Sequence, residues 1–110
     1  MFGRILNEAP WVKILLDIGH LFINHTEDYL THLLLFLSDL GTEIAHLHLS
    51  DNRGTGDDHL PLGCGLIDWK KTLETVKRYY NGTITLEVFT PDREYLILSR
   101  EKLKRWMEGV

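Results

Sequence analysis

The sequence predicts an α/β protein built from three consecutive βα units with parallel strands. Two observations carry this. Aliphatic and β-branched runs at residues 11–17, 43–50 and 83–89 alternate with helical segments, and each run carries a carboxylate or an imidazole at or near its C-terminal end. Connections of two or three residues lead from helix to strand while longer loops lead from strand to helix, which is the pattern of parallel strands joined by right-handed crossovers. The 110 residues, 44% apolar and 25% charged, make one ordinary globular domain at most.

The first run, Trp-Val-Lys-Ile-Leu-Leu-Asp at residues 11–17, suits a strand covered on its outer face. A loop through Asn24 follows, and Thr26 then caps a helix with Glu27 and Asp28 in its first turn, where the macrodipole favours acids. Gly41 stops that helix after Leu40, and Leu30, Leu33, Leu34 and Leu37 supply its apolar stripe. The second strand, residues 43–50, runs into Asn52-Arg53-Gly54-Thr55-Gly56, the start of a loop reaching about Leu66. Asp68 caps a helix over residues 69–80, in which Leu73, Val76 and Tyr80 keep a helical period and after which Asn81-Gly82 turns the chain. The third strand occupies residues 83–89. Thr90-Pro91 opens the last segment with proline at the first helical position, and Ser99 recaps a final helix carrying Leu103, Trp106 and Met107.

Strand alternation places Lys13, Leu15 and Asp17 on one face, with Ile44, His46 and His48, and Thr83, Thr85 and Glu87. Ile14, Leu16, Ala45, Leu47, Ile84 and Leu86 then face the helices. In a (β/α)8 barrel the first set points inward. No apolar run approaches the roughly 20 residues that cross a bilayer, and no secretory signal is evident, so the expected compartment is the cytoplasm with no membrane partner. The sequons at Asn24 and Asn81 carry little weight without such a signal. Cys64 is the only cysteine, so any metal must be held by His and carboxylate. A net charge of -4 gives no basic footprint for nucleic acid.

Parallel α/β proteins carry their ligands at the carboxyl ends of the strands, which would set Asp17, His48 and Glu87 side by side around one mouth. Two carboxylates and an imidazole suit zinc, manganese, magnesium or cobalt. His20, three residues beyond Asp17, could ligate a second ion or bind substrate, and Asp57 with His59 puts a carboxylate two residues from an imidazole. A single carboxylate at a strand end is more often a helix cap or a solvated loop residue; three in register weigh against that reading. His46 reads as an interior histidine satisfied by neighbours, His25 and His32 as surface residues, and Lys70, Lys71, Lys77 and Arg78 as a solvated face.

Asp-x-Gly-His at one strand end, His-Leu-x-Asp-Asn at the next, Asp-x-His-x-x-Leu-Gly-x-Gly and a final Leu-Glu-Val together resemble the C-terminal part of the xylose-isomerase-like TIM barrel superfamily. That group holds sugar and sugar-phosphate isomerases and epimerases, and the endonuclease IV type of AP endonuclease. The resemblance implies that residues 1–110 are a partial TIM-barrel domain, its last three βα units. It assigns Asp17, His48 and Glu87 to a shared metal set, His20 to substrate or a second metal, and Asp57 and His59 to the extra ligand pair of the nuclease branch. Glu87 and His20 would be catalytic, with Arg53 and His20 binding substrate.

A barrel of this kind takes about 250 residues. The first five strands would bring a further glutamate, one of the two acid/base carboxylates of the epimerases. Three strands cannot close a barrel, so the expectation is a fragment completed by self-association or by another barrel portion. The leading function is a metal-dependent sugar or sugar-phosphate isomerase or epimerase. A zinc-dependent nuclease of abasic DNA is the alternative, and a chain inert until it associates is the third reading.

Overall fold

The computed structural model describes residues 13–110. The predicted start of the first strand at Trp11 lies outside them. Three strands, β1 (Ile14–Asp17), β2 (Ile44–Leu49) and β3 (Thr83–Leu86), form one parallel sheet in the order β1-β2-β3. Parallel pairing puts all three carboxyl ends on the same side.

The sheet register is set by one irregularity. Ile14 pairs with Ile44 but Leu15 pairs with His46, so Ala45 is left over as a bulge residue. The expected alternation fails at that point: Ile44 is buried beside Ile14 and Ala45 is exposed. From His46 onward the rows are regular, with Leu16, Leu47 and Ile84 in one and Asp17, His48 and Thr85 in the next. Leu16, Leu47 and Leu49 join the helices in the core, leaving the Asp17 and His48 row on the other face.

The segment after β1 is helical rather than a loop. Asp17 caps α1 (Ile18–Asn24), its Oδ1 accepting from the His20 N–H at 2.9 Å, and Ile18, Leu21 and Phe22 are buried. The next helix, α2 (Tyr29–Leu40), starts later than Thr26 and has Asp28 at its cap position. Its buried stripe is Tyr29, Leu33 and Leu37, spaced by four; Leu34 is 42% exposed because the crowded leucines at 33, 34 and 35 cannot share one face. Gly41 keeps right-handed helical geometry and leads into a 3-10 turn, Gly41–Glu43.

Asp68 caps α3 (Trp69–Tyr79) as expected, accepting from the Lys71 N–H. Tyr29 of α2 and Thr72 of α3 share a buried hydroxyl contact of 2.8 Å. The last helix, α4 (Arg93–Glu108), is one unbroken element capped by Asp92, with Pro91 just ahead of it. Ser99 does not recap it. Ser99 lies buried in mid-helix, where its Oγ accepts from the Leu62 N–H at 3.1 Å and ties α4 to the long loop.

That loop, residues 50–68, is organised by Asp51, which has no solvent exposure. Its Oδ1 accepts from the Asn52 N–H at 2.9 Å and the Ile67 N–H at 3.3 Å. Its Oδ2 accepts from the Gly63 N–H at 2.9 Å and the Trp69 Nε1–H at 2.8 Å. Asp51 also exchanges both backbone hydrogen bonds with Leu60, which folds the loop back over the end of β2. Gly63 adopts φ +91, and a Cβ at Gly65 would overlap the Asn52 carbonyl and the Asp51 carboxylate, so both positions need glycine.

Removing the Asp51 carboxylate strands several buried donors, each costing about 1–3 kcal/mol when left without an acceptor. Asp51→Ala should therefore lose more than about 3 kcal/mol in urea unfolding. Trp69→Phe, which deletes one of these donors along with its partner bond, should cost less. A loss below about 1 kcal/mol for Asp51→Ala would remove the loop-anchoring role.

Candidate metal centre

The strand ends bring six of the seven singled-out residues into one chain of contacts. Asp17 and His48 are directly paired in the sheet, and Glu87 lies just beyond β3, its N–H donating to the Leu49 carbonyl at 2.9 Å. Asp17, His48 and Glu87 each offer a ligand atom, all within 4.8 Å of one another. His48 Nδ1 is 3.1 Å from Glu87 Oε2, and the side chains of Asp17, His48 and Glu87 are 13%, 22% and 30% exposed. Half-buried oxygen and nitrogen donors at this spacing suit a divalent cation with coordination positions left open, the arrangement of catalytic rather than purely structural ions.

His20 and Asp57 extend the set. Asp17 spends Oδ1 on capping α1, and its Oδ2 lies 3.8 Å from His20 Nδ1. The other nitrogen of that ring, Nε2, donates to Asp57 Oδ2 at 2.7 Å. Asp57 Oδ2 is in turn 3.0 Å from His59 Nε2.

His59 has the most constrained geometry of the group. Its φ of 51 makes it the one non-glycine residue in the left-handed region among the described residues. The conformation is held from several sides: Nδ1–H donates to the Glu87 carbonyl at 2.9 Å, the His59 carbonyl accepts from the Phe89 N–H at 3.0 Å, and the ring stacks on Phe89 at 4.2 Å. Backbone strain of this kind persists where surrounding structure enforces it, often at functional sites. With Nδ1 carrying the proton, a neutral ring presents a bare Nε2 to a carboxylate oxygen. Lone pair would then face lone pair, unless a second proton or a cation lies between them. An imidazole fixed through its other nitrogen to a backbone carbonyl is also the usual support for a metal-ligating histidine.

Two further expectations have definite outcomes. His46 is satisfied by neighbours, with Nδ1 2.7 Å from Thr83 Oγ1 and Nε2 2.6 Å from Thr85 Oγ1. Arg53 stands apart from the cluster: it is exposed, and its backbone N–H donates to Asp58 at 3.4 Å. Sequence reasoning gave Asp51 and Asn52 no role beyond their place in the His-Leu-x-Asp-Asn motif. Asn52 is fully buried, its Nδ2 donates to the Gly19 carbonyl at 3.0 Å, and its Oδ1 accepts from the Gly54 N–H at 2.8 Å. The Asn-x-Gly spacing was the available signal, since an asparagine side chain that bonds two residues ahead makes an Asx turn.

The Asp57 hydrogen bond holds His20 above its ordinary value, opposed by slight burial and helped by the charges of Asp17, Asp57 and Glu87. For Asp57, burial pulls upward, but the hydrogen bond and charge of His20 and the charge of His59 bring the carboxyl below the usual range. A hollow of about 540 Å³ between α3 and α4, lined by Trp69, Arg105 and Trp106, holds none of these six residues. Among the described residues the strand-end side is an open face, because the three strands supply no opposite wall.

Parallel βα units with an ionisable cluster at their carboxyl ends define a section of a (β/α)8 barrel. Residues 2–109 match the family described as xylose isomerase-like TIM barrel, and the chain belongs to that family. The crystal structure of a D-tagatose 3-epimerase-like protein superposes with a TM-score of 0.71 at 32% identity, covering 89% of this chain and 35% of that one. An uncharacterised protein of Methanocaldococcus jannaschii is 40% identical over 102 residues, 92% of this chain and 37% of its own length. A second from the same organism is 34% identical over 98 residues, 88% of this chain and 32% of its own length. The chain thus spans about a third of these proteins.

In the metal-free protein, the raised His20 contributes stability that is complete below the ordinary imidazole value of about 6.5 and is lost as pH rises through its raised value. The lowered Asp57 contributes stability present above about pH 4 and lost as pH falls through its lowered value. The pair is therefore strongest between those limits, though both groups are too exposed for a large stability effect. Proton NMR should show His20 titrating above an ordinary histidine, and Asp57→Asn should bring it back down. An unchanged midpoint in Asp57→Asn would refute the assignment.

Proposed function

We propose that this chain supplies the metal-binding side of a sugar or sugar-phosphate isomerase or epimerase. The observation that carries the reading is the meeting of Asp17, His48 and Glu87 at the ends of three adjacent parallel strands. It is supported by the likeness to a D-tagatose 3-epimerase-like protein. Asp17, His48 and Glu87 would hold a manganese, magnesium, cobalt or zinc ion, which when bound supplies Lewis-acid polarisation of adjacent substrate oxygens. Glu87 takes and returns the proton at the carbon beside the substrate carbonyl, through an enediolate. His20, already anchored by Asp57, orients a hydroxyl, and Arg53 offers its guanidinium to a phosphate at the rim. The opposite acid/base carboxylate comes from other βα units.

Residues 1–110 on this reading are the last three units of a barrel domain whose remaining units lie elsewhere in the assembled protein. Among the described residues β1 and β3 are the two edges of the sheet. A groove of about 400 Å³ between β3 and α4, lined by Ile84, Leu86, Leu96, Ile97 and Leu103 and flanked by Arg93 and Arg100, gives the adjoining unit a largely apolar seat. Alone, the chain self-associates and lacks turnover. Among the described residues no helix is long and apolar enough to cross a membrane, and a cytoplasmic location accords with that.

A second reading, a zinc nuclease acting on abasic DNA, is favoured by Asp57 and His59, which stand where a second or third ion could share the cluster. The net charge of -4 speaks against it, because DNA binding relies on phosphate neutralisation.

In the completed barrel, Glu87→Gln should lower the rate of ketose interconversion by about 10²–10⁴-fold, the usual share of a positioned acid/base group. Metal chelation should abolish the activity and manganese restore it. A panel of ketoses left unconverted by the metal-loaded barrel would sink the isomerase reading, and two or more tightly held zinc ions with cleavage of abasic DNA would replace it with the nuclease. In solution the isolated chain should sediment as more than one copy. A monomer that unfolds cooperatively would refute self-association.

A further inference from the structure

We infer that His25, Asp28 and His32 form a second cation site, separate from the strand ends and selective for a nitrogen-preferring divalent ion such as zinc. The three residues span the turn between α1 and α2 and the first turn of α2. Each offers a ligand atom, and these atoms all lie within 4.8 Å of one another. Asp28 Oδ2 accepts from His32 Nε2 at 3.0 Å, while Asp28 Oδ1 is 4.0 Å from His25 Nδ1. The two imidazole rings lie nearly parallel at 3.6 Å, so their edges reach the same carboxylate from one side.

The conformation of Asp28 sets this apart from an incidental surface contact. Asp28 occupies the cap position of α2 yet makes no capping hydrogen bond with its side chain. An aspartate there ordinarily contributes about 1 kcal/mol by accepting from the first turn. Here Oδ2 is taken up by the His32 ring instead, and Oδ1 lies 4.0 Å from His25 Nδ1. The backbone that carries the rings is already fixed, since the His25 N–H donates to the Leu21 and Phe22 carbonyls and the His32 N–H to the Asp28 carbonyl. The rings are only 34% and 32% exposed, against 60% for Asp28, so the donors are held in place beneath an open approach.

Donor chemistry sets the preference. Two imidazoles and one carboxylate rank copper, nickel and zinc well above manganese and magnesium, whereas the two carboxylates and one imidazole at the strand ends also accept the harder ions. A cation here ties the end of α1 to the start of α2. It thereby braces the turn whose Thr26 packs against Gly54 in the loop that carries Arg53.

Zinc titration of the whole chain against a chromophoric chelator tests the assignment, with manganese as the contrasting ion. His32→Gln and His25→Gln should each remove one zinc equivalent, or weaken it at least tenfold, while the equivalent lost in His48→Gln remains. Manganese binding should not change in either variant. All three side chains are at the surface, and circular dichroism matching the parent shows that the fold survives. Zinc stoichiometry and affinity equal to the parent in both folded variants would overturn the site.

Discussion

One buried carboxylate holds the functional end of this protein together. Asp51 lies two residues beyond β2, and taking its charge out of water would be prohibitive without compensation. The compensation comes from four N–H groups that the sequence distributes over sixteen residues of loop and one helix. Charge-assisted bonds of this kind are about twice as strong as neutral ones, and they cannot be exchanged for water once the loop has closed. The loop therefore has one path. That path returns through Leu60 to the strand end and sets His59 against the Glu87 carbonyl, with Asp57 beside it. Trp69 carries the same constraint into α3, whose position against α2 is fixed in turn by Tyr29 and Thr72.

The ligand cluster follows from this frame together with the sheet. Neighbouring parallel strands lie about 4.8 Å apart, so residues paired across them meet without special adjustment. Asp17 and His48 are such a pair, and Glu87 follows Thr85 on the same face, two residues on. The inner face beneath them is polar yet fully satisfied. A neutral His46 donates from one nitrogen and accepts at the other, and Thr83 and Thr85 fill both roles. Threonine hydroxyls can rotate to suit either tautomer, so both ring nitrogens of His46 keep a partner.

Much of this was legible in the sequence, and what was not has identifiable causes. Strand ends, parallel order and the Asp68 cap follow from local signals that the tertiary structure leaves intact. The helical α1 was missed because Asp17 reads as a strand-end ligand candidate, yet its side chain serves as an N-cap, Oδ1 accepting from the His20 N–H while Oδ2 lies 3.8 Å from His20 Nδ1. Ser99 looked like a cap because serine is favoured there, yet its hydroxyl is used to anchor Leu62 across the fold. The Ala45 bulge has no sequence signature at all. Nor could spacing reveal the left-handed His59, which depends on Glu87 and Phe89 from a distant strand.

On the proposed reading, binding and turnover separate physically in this protein. The three donors at the strand ends need nothing outside the three units: Asp17 is fixed by α1, His48 by the central strand, and Glu87 by the β2 ladder. Proton transfer at a sugar carbon is different, because it needs a base on one face and an acid on the other, inside a site that excludes water. The open inner face can provide neither the second group nor the exclusion. The neighbouring units must therefore bring the opposing carboxylate and the wall together, docking beside β3 where Ile84, Leu86, Leu96, Ile97 and Leu103 line a groove. Barrel closure and catalytic competence become one event. Metal affinity, by contrast, would on this reading be a property these three units carry by themselves.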